Sequence, residues 1–183
     1  QTCALPIYEY IFGSVNHDSI TVNIGLSSKW VVAGAGDDRI LTTGSYYGTT
    51  IYGGAGNDTI QSTTYASTFI DGGSGNDSIN SSSGDDTIFG GAGSDTITAG
   101  SGNDVIFTGV SSMRYDESFE YIASKSNYYS DEFVSYEEKG IPTNIVNANQ
   151  GNDTIFAGGG DTIDAGDGVD RSTGIARLFE DVL

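Results

Sequence analysis

The sequence is poor in the residues that form most cross-links and transition-metal centres. Among 183 residues it has one cysteine, Cys3, one histidine, His17, and two prolines. A lone cysteine supports neither a disulfide nor a thiolate metal site, and one histidine leaves zinc and iron without their usual ligands. Only 7 basic residues face 25 acidic ones, so the formal charge is −18. Nucleic acid and anionic membrane surfaces are therefore excluded as favourable partners.

Long apolar runs and catalytic motifs are also missing. No segment approaches the roughly 18 apolar residues of a transmembrane helix, so no stable membrane insertion is expected, and none resembles a cleaved signal peptide. The sequence contains no HExxH, GxSxG or phosphate-binding loop, and we expect no enzymatic activity from this segment itself. Residues 1–7 (QTCALPI) match the translation of a common sequencing-adapter end, which predicts an assembly artefact and a missing natural N-terminus; the alternative is an ordinary N-terminal strand segment.

Glycine, in contrast, is abundant and periodic. The chain has 27 glycines, and a nine-residue unit repeats without a break from Gly72 to Phe107 as GGSGNDSIN, SSSGDDTIF, GGAGSDTIT and AGSGNDVIF. Further copies cover Ala33–Leu41, Gly53–Gln61 and Ala148–Phe156. A fixed period of this kind predicts stacked coils, each contacting only its neighbours.

Each unit divides into a turn and a short strand. The first six positions are turn-formers, and the last three are β-branched or aromatic with one apolar residue facing inward. Two turn–strand halves close one coil, which predicts an all-β fold: a parallel β-roll, that is, a two-sheet right-handed β-solenoid. The predicted inward residues are Ile20, Val31, Ile40, Ile51, Ile60, Ile70, Ile79, Ile88, Ile97, Ile106, Ile155 and Ile163.

The consensus Gly-Gly-x-Gly-x-Asp-x-Ile-x resembles the RTX (haemolysin-type) calcium-binding nonapeptide repeat. The resemblance implies a calcium-binding module of an extracellular protein, secreted by a Gram-negative bacterium through a type I machinery. The acidic-then-apolar ending Phe179–Leu183 is similar to the signals of that route. Two wider contexts fit: the C-terminal module of a secreted hydrolase, such as a protease or lipase, with its catalytic domain upstream, or a fragment of an RTX cytotoxin or adhesin.

The aspartates of the repeat separate into two columns. Asp38, Asp58, Asp77 and Asp95 are 20, 19 and 18 residues apart, one coil each, and Asp18 extends this column by another 20. Asp86 and Asp104 fall between them on the opposite edge. The matching half-turns earlier in the chain, around 26–30, 45–48 and 65–68, have lost Asp and, apart from Gly48, Gly. We therefore predict one nearly complete column and a second that is degenerate in the first half.

Stacked aspartates at this spacing suit calcium. Neighbouring parallel strands lie about 4.7–4.9 Å apart, and Ca²⁺ takes 6–8 oxygens at about 2.3–2.6 Å, so one ion reaches two stacked turns. The alternative is a calcium-free solenoid in which Asp only caps the turns. We expect about four to six Ca²⁺ ions. The candidate ligands are Asp38, Asp58, Asp77, Asp86, Asp95, Asp104, Asp153, Asp161 and Asp170, within turns formed by Gly34, Gly36, Gly53, Gly54, Gly56, Gly72, Gly73, Gly75, Gly84, Gly90, Gly91, Gly93, Gly100, Gly102 and Gly151.

The period is interrupted once. Residues 110–147 form an acidic insertion with five of the 11 tyrosines, and Tyr115–Lys125 is expected to form a short helix. The roll is predicted over residues 8–109 and again over 148–173, followed by a tail at 174–183. The chain is expected to be monomeric.

Overall fold

A computed structural model of the chain describes residues 9–23, 28–44, 47–109, 144–157, 161–174 and 177–178. These residues form sixteen short strands and no helix. The odd-numbered strands are β1 (Glu9–Phe12), β3 (Lys29–Ala35), β5 (Thr49–Ala55), β7 (Phe69–Ser74), β9 (Thr87–Ala92), β11 (Val105–Phe107), β13 (Thr154–Ala157) and β15 (Arg171–Gly174). The even-numbered strands are β2 (Ser19–Asn23), β4 (Arg39–Thr43), β6 (Thr59–Thr63), β8 (Ser78–Asn80), β10 (Thr96–Thr98), β12 (Ile145–Asn147), β14 (Thr162–Asp164) and β16 (Arg177–Leu178).

The odd-numbered strands form one eight-stranded sheet and the even-numbered strands form another. Within each sheet every strand pairs in parallel with the strand two places further along the chain. The chain therefore alternates between the sheets, and each pair of strands closes one coil. The predicted all-β parallel β-solenoid is confirmed. No helix that could span a membrane is found among these residues.

The core lies between the two sheets and consists mainly of isoleucine. Ile51 aligns with Ile70, and Ile70 with Ile88, so that one isoleucine per strand forms a column. Of the twelve predicted inward residues, eleven are at most 1% exposed, and Ile20 is partly buried against them. Val146 continues a column by aligning with Ile97, and Val22 joins the core beside the column; the sequence analysis included neither residue.

The outer face of the odd-numbered sheet has a continuous row of aromatic rings, which we call the aromatic row. Phe107 stacks on Phe89 and on Phe156 with ring centroids 4.6 Å apart in both cases. Cross-strand aromatic contacts of this kind stabilise a sheet beyond the area they bury. The row comprises Tyr10, Trp30, Tyr52, Phe69, Phe89, Phe107 and Phe156.

The roll resumes earlier than the repeat pattern indicates. Residues 144–147, assigned above to the insertion, form β12 and the residue before it, and β12 pairs directly with β10 and β14. Ile145 and Val146 form this strand, and Val146 aligns with Ile97. The sequence analysis did not predict it because no glycine-rich turn precedes it. At the other end, β15 and β16 extend the pairing to Leu178, into the predicted tail. The predicted helix at Tyr115–Lys125 and residues 1–7 lie outside the described residues.

Candidate metal sites at the two edges of the roll

Two columns of acidic side chains run along the roll, one at each edge. The turns before the even-numbered strands form edge one, and the turns before the odd-numbered strands form edge two. The structure places the aspartates in the columns that their spacing predicts and assigns the later ones that the sequence analysis left open. Edge one contains Asp18, Asp38, Asp58, Asp77, Asp95, Asn144 and Asp161, and edge two contains Asp86, Asp104, Asp153 and Asp170.

One carboxylate oxygen of each aspartate joins neighbouring coils. The backbone N–H of Asp38 donates to Oδ1 of Asp58 at 2.8 Å, and the N–H of Asp58 donates to Oδ1 of Asp77 at 2.8 Å. On edge two, the N–H of Asp86 donates to Oδ1 of Asp104 at 2.8 Å. A carboxylate is an acceptor only, so this bond satisfies a turn N–H that would otherwise be buried without a partner.

In most of these aspartates the second carboxylate oxygen has no hydrogen-bond partner among the described residues. Asp58 is 1% exposed, and its Oδ2 has no hydrogen-bond partner among the described residues. Burying a negatively charged oxygen without a hydrogen-bond donor costs free energy, and a bound cation usually offsets that cost. The atoms in this position are Oδ2 of Asp38, Asp58, Asp77, Asp95, Asp104 and Asp153.

The first glycine of the unit keeps space open beside this oxygen. A methyl group placed on Gly53 would lie 2.5 Å from Oδ2 of Asp58 and 2.5 Å from the carbonyl oxygen of Gly72 in the next coil. Gly72 repeats the arrangement, with Oδ2 of Asp77 and the carbonyl oxygen of Gly90 each at 2.5 Å. Oxygens from two adjacent coils therefore converge on a space that any side chain would fill.

The glycines at the second and fourth positions of the unit allow the backbone conformation of the turn. Gly54 has a φ of 114° and Gly56 a φ of 130°, conformations that residues with a side chain rarely adopt. The N–H of Gly56 donates to the carbonyl oxygen of Ser74 in the next coil at 2.7 Å. Glycine at the first position thus provides room, whereas glycine at the second and fourth allows the turn.

Burial and neighbouring carboxylates make these aspartates hard to ionise. The pKa of Asp77 is raised to about 7: burial and the carboxylates of Asp95 and Asp58 raise it, and the hydrogen bond from the Asp58 N–H partly offsets them. Burial likewise raises the pKa of Asp104 to about 7 and that of Asp58 to about 6. The edges therefore favour either a proton or a bound cation near these oxygens.

Three aspartates differ, because a protein donor reaches their second oxygen. The hydroxyl of Ser81 donates to Oδ2 of Asp86. At the N-terminal end, the N–H of Ser14 donates to Oδ2 of Asp18 at 2.6 Å. Near the insertion, Oδ2 of Asp161 accepts a hydrogen bond from a threonine hydroxyl. These oxygens are already satisfied, unlike the six described above.

A third set of links involves the residue before each aspartate, which the sequence analysis did not single out. The N–H of Asn57 donates to Oδ1 of Asp37 at 2.8 Å, and the N–H of Asn76 donates to Oδ1 of Asn57 at 2.8 Å. These bonds run in the opposite direction to those of the aspartate column. The recurrence of Asn, Asp or Ser at this position of the unit is the signal that could have revealed them.

Asn144 is the other residue that the sequence analysis missed. Its Oδ1 accepts from the N–H of Asp95 at 2.7 Å, the place an aspartate takes in the other coils. Asn144 stands two residues before Val146, as Asp stands two before Ile in the unit, and nine residues before Asp153. That spacing was present in the sequence, without the glycines that mark the other turns.

Side chains alone do not complete a metal shell here. In the described parts of the chain, no three side chains of His, Cys, Asp or Glu come together as a metal cluster. Any ion at these edges would therefore need backbone carbonyl oxygens in addition to carboxylates. Hard oxygen donors of both kinds are the set that Ca²⁺ accepts, with 6–8 ligands in flexible geometry.

Comparison with known families agrees with the geometry. A family model of the RTX calcium-binding nonapeptide repeat matches the chain in four copies, over residues 43–62, 71–106 and 143–172. No curated protein and no solved structure matches the chain.

Proposed function

Because this chain carries RTX calcium-binding nonapeptide repeats folded as a β-roll, we propose that its function is to fold on binding Ca²⁺ between the stacked turns of its two edges. RTX repeats are a structural calcium-binding module. The observation that supports this proposal most strongly is the set of six buried aspartate oxygens without a hydrogen-bond partner among the described residues.

The residues that would hold the ions are those that bring oxygens together from adjacent coils. Oδ2 of Asp58 and the carbonyl oxygen of Gly72 flank the space left by Gly53, and Oδ2 of Asp77 and the carbonyl oxygen of Gly90 flank the space left by Gly72. When bound, Ca²⁺ would supply the positive charge that these oxygens lack. Mg²⁺ suits the site less well, because it requires tight octahedral geometry and retains its water.

Charge explains why folding would depend on the ion. The metal-free roll stacks carboxylates within a chain of formal charge −18. About five ions would contribute +10 and offset more than half of that charge. Since the two oxygens that flank one glycine come from different coils, the unfolded chain contains no preformed site, and binding free energy becomes folding free energy.

This coupling also fits an extracellular role. RTX repeat proteins are typically secreted, and we propose the same for this chain, through a type I machinery of a Gram-negative bacterium. Calcium modules of extracellular proteins bind at about 10⁻⁴–10⁻³ M, so the chain would stay unfolded in the calcium-poor cytosol and fold outside.

Metal content tests the proposed function. The chain would be dialysed to equilibrium against millimolar Ca²⁺ or millimolar Mg²⁺, and bound metal would be counted per chain by inductively coupled plasma mass spectrometry. We expect several Ca²⁺ ions and at most one Mg²⁺. A chain that retains no Ca²⁺ would contradict the proposal.

A further inference from the structure

We call two consecutive turns of an edge a step. At the step of edge one formed by Asn144 and Asp161, both carboxylate oxygens of Asp161 accept hydrogen bonds from protein donors. Oδ1 of Asp161 accepts from the backbone N–H of Asn144 at 2.9 Å and from its Nδ2 at 3.0 Å. Oδ2 of Asp161 accepts from the hydroxyl of Thr108 at 2.7 Å. Thr108, Asn144 and Asp161 are all at most 3% exposed. This carboxylate is therefore buried and fully hydrogen-bonded without an ion.

The amide of Asn144 fits this position in only one orientation. Its Nδ2 lies 3.2 Å from the carbonyl oxygen of Thr108 and 3.0 Å from Oδ1 of Asp161, which are both acceptors. Its Oδ1 receives the N–H of Asp95 at 2.7 Å. Reversing the amide would set an oxygen against two oxygens and a nitrogen against a donor. An aspartate at this position would have no hydrogen to offer to either acceptor.

Other aspartates of edge one differ from Asp161. Oδ2 of Asp58 and Oδ2 of Asp77 are equally buried but have no donor among the described residues. On the basis of the proposed function, we infer that the Thr108–Asn144–Asp161 cluster takes the place of a calcium ion. Two of its members, Thr108 and Asn144, stand on either side of residues 110–143 in the sequence.

An aspartate of edge two, Asp86, also has a side-chain hydrogen-bond donor for its Oδ2. Ser81 occupies the first position of its unit, where Gly53 and Gly72 leave open space, and its hydroxyl donates to Oδ2 of Asp86. Asp86 is 1% exposed, as Asp58 is, yet it is absent from the carboxylates with an unpartnered oxygen. A side-chain donor thus replaces the open space of the glycine turn at two separate coils.

The cluster joins the described residues on the two sides of the interruption in the repeat. Thr108 lies just before residues 110–143 and Asn144 just after them, and both contact Asp161 of the following coil. The two cluster members that flank residues 110–143 in the sequence therefore lie where both oxygens of Asp161 have protein donors. On edge two, Asp104 and Asp153 each keep an oxygen without a partner among the described residues.

Counting ions in two matched variants tests this inference. Native mass spectrometry of the full chain at saturating Ca²⁺ would compare Asp161→Asn with Asp58→Asn, which are equal in size and equal in charge change. We expect Asp161→Asn to keep the wild-type number of ions and Asp58→Asn to lose at least one. A third variant, Asn144→Asp, sets a second carboxylate against Asp161 and is expected to bind one ion more than wild type.

The outcomes separate the two proposals. If wild type binds Ca²⁺ and Asp161→Asn loses an ion as Asp58→Asn does, the inference is overturned and the proposed function stands. If wild type binds none, both fall. Should Asp161→Asn fail to fold, an unchanged ion number in Asn144→Asp would overturn the inference by itself.

Discussion

The backbone N–H of Asp58 donates a 2.8 Å hydrogen bond to Oδ1 of Asp77, the residue at the same position one coil further on. The other oxygen of Asp77 is buried with no hydrogen-bond partner among the described residues. One carboxylate thus joins two coils with one oxygen and leaves its other oxygen for the proposed cation. This double role explains why a single residue type recurs at this position of the unit.

Removing Asp77 is expected to weaken calcium-driven folding. Asp77→Ala leaves the buried N–H of Asp58 without an acceptor, a loss of about 1–3 kcal/mol, and deletes a proposed ligand. The midpoint of a calcium titration should rise roughly tenfold or more. The control is Asp167→Ala, at an exposed turn residue whose side chain is not in either column. Equal midpoints for the two variants in circular dichroism would contradict the role given to Asp77.

The open space at Gly72 is expected to be as important as the carboxylate. Gly72→Ala places a methyl group 2.5 Å from Oδ2 of Asp77 and from the carbonyl oxygen of Gly90, so ion binding at this turn should be lost. At Gly109 a methyl group would meet nothing within 4 Å, which makes Gly109→Ala the matched control. Isothermal titration calorimetry should show fewer bound ions for the first variant and the wild-type number for the second.

The regular parts of this molecule could be read from the sequence because they repeat. Aspartates 18–20 residues apart and an isoleucine two residues after most of them predict the coil length, the two columns and the core. Ile51, Ile70 and Ile88 do align in the structure as that spacing requires. A periodic sequence determines a periodic fold because each coil packs only against its neighbours.

The exceptions depend on side-chain contacts that the repeat pattern does not specify. Asn144 joins Asp95 across 49 residues, and its asparagine side chain does not match the unit. The hydroxyls of Ser81 and Thr108 become relevant only when the fold places them beside Asp86 and Asp161. A search for Gly and Asp alone therefore counts Asp86 and Asp161 with the other aspartates, although their second oxygens have protein donors.

Acid is expected to stabilise the metal-free roll. Burial raises the pKa of Asp77 and of Asp104 to about 7, well above the value near 3.8 of an unperturbed aspartate. The folded state then binds more protons than the unfolded state between about pH 4 and pH 7, so stability increases as the pH falls through that window. In excess chelator, β-sheet content by circular dichroism should be higher at pH 5 than at pH 8. The opposite order would contradict these shifts.

Protons should also compete with calcium. Because the same carboxylates take up either a proton or the ion, the calcium midpoint at pH 5.5 should be higher than at pH 8. Isothermal titration calorimetry would follow this shift, because it reports ion binding whether or not the roll is already folded. A midpoint independent of pH would contradict this competition between protons and calcium.

The aromatic row is expected to contribute stability without affecting ion number. Phe107→Ala removes two stacked contacts, with Phe89 and Phe156, each about 0.5–1.5 kcal/mol beyond buried area. Thermal unfolding in excess Ca²⁺ should show a loss of about 1–3 kcal/mol, with the wild-type number of ions retained. Tyr47→Ala, at a tyrosine that is 46% exposed and lies outside the row, is the control and should change little.

Far-UV circular dichroism of the full chain during a calcium titration tests calcium-coupled folding most directly. Starting in excess chelator at pH 8, the spectrum should be that of an unfolded chain. It should convert to a β-sheet spectrum over a narrow range of Ca²⁺ concentration, and an equal concentration of Mg²⁺ should not produce the change. A fully formed β-sheet spectrum in excess chelator at pH 8 would contradict the account.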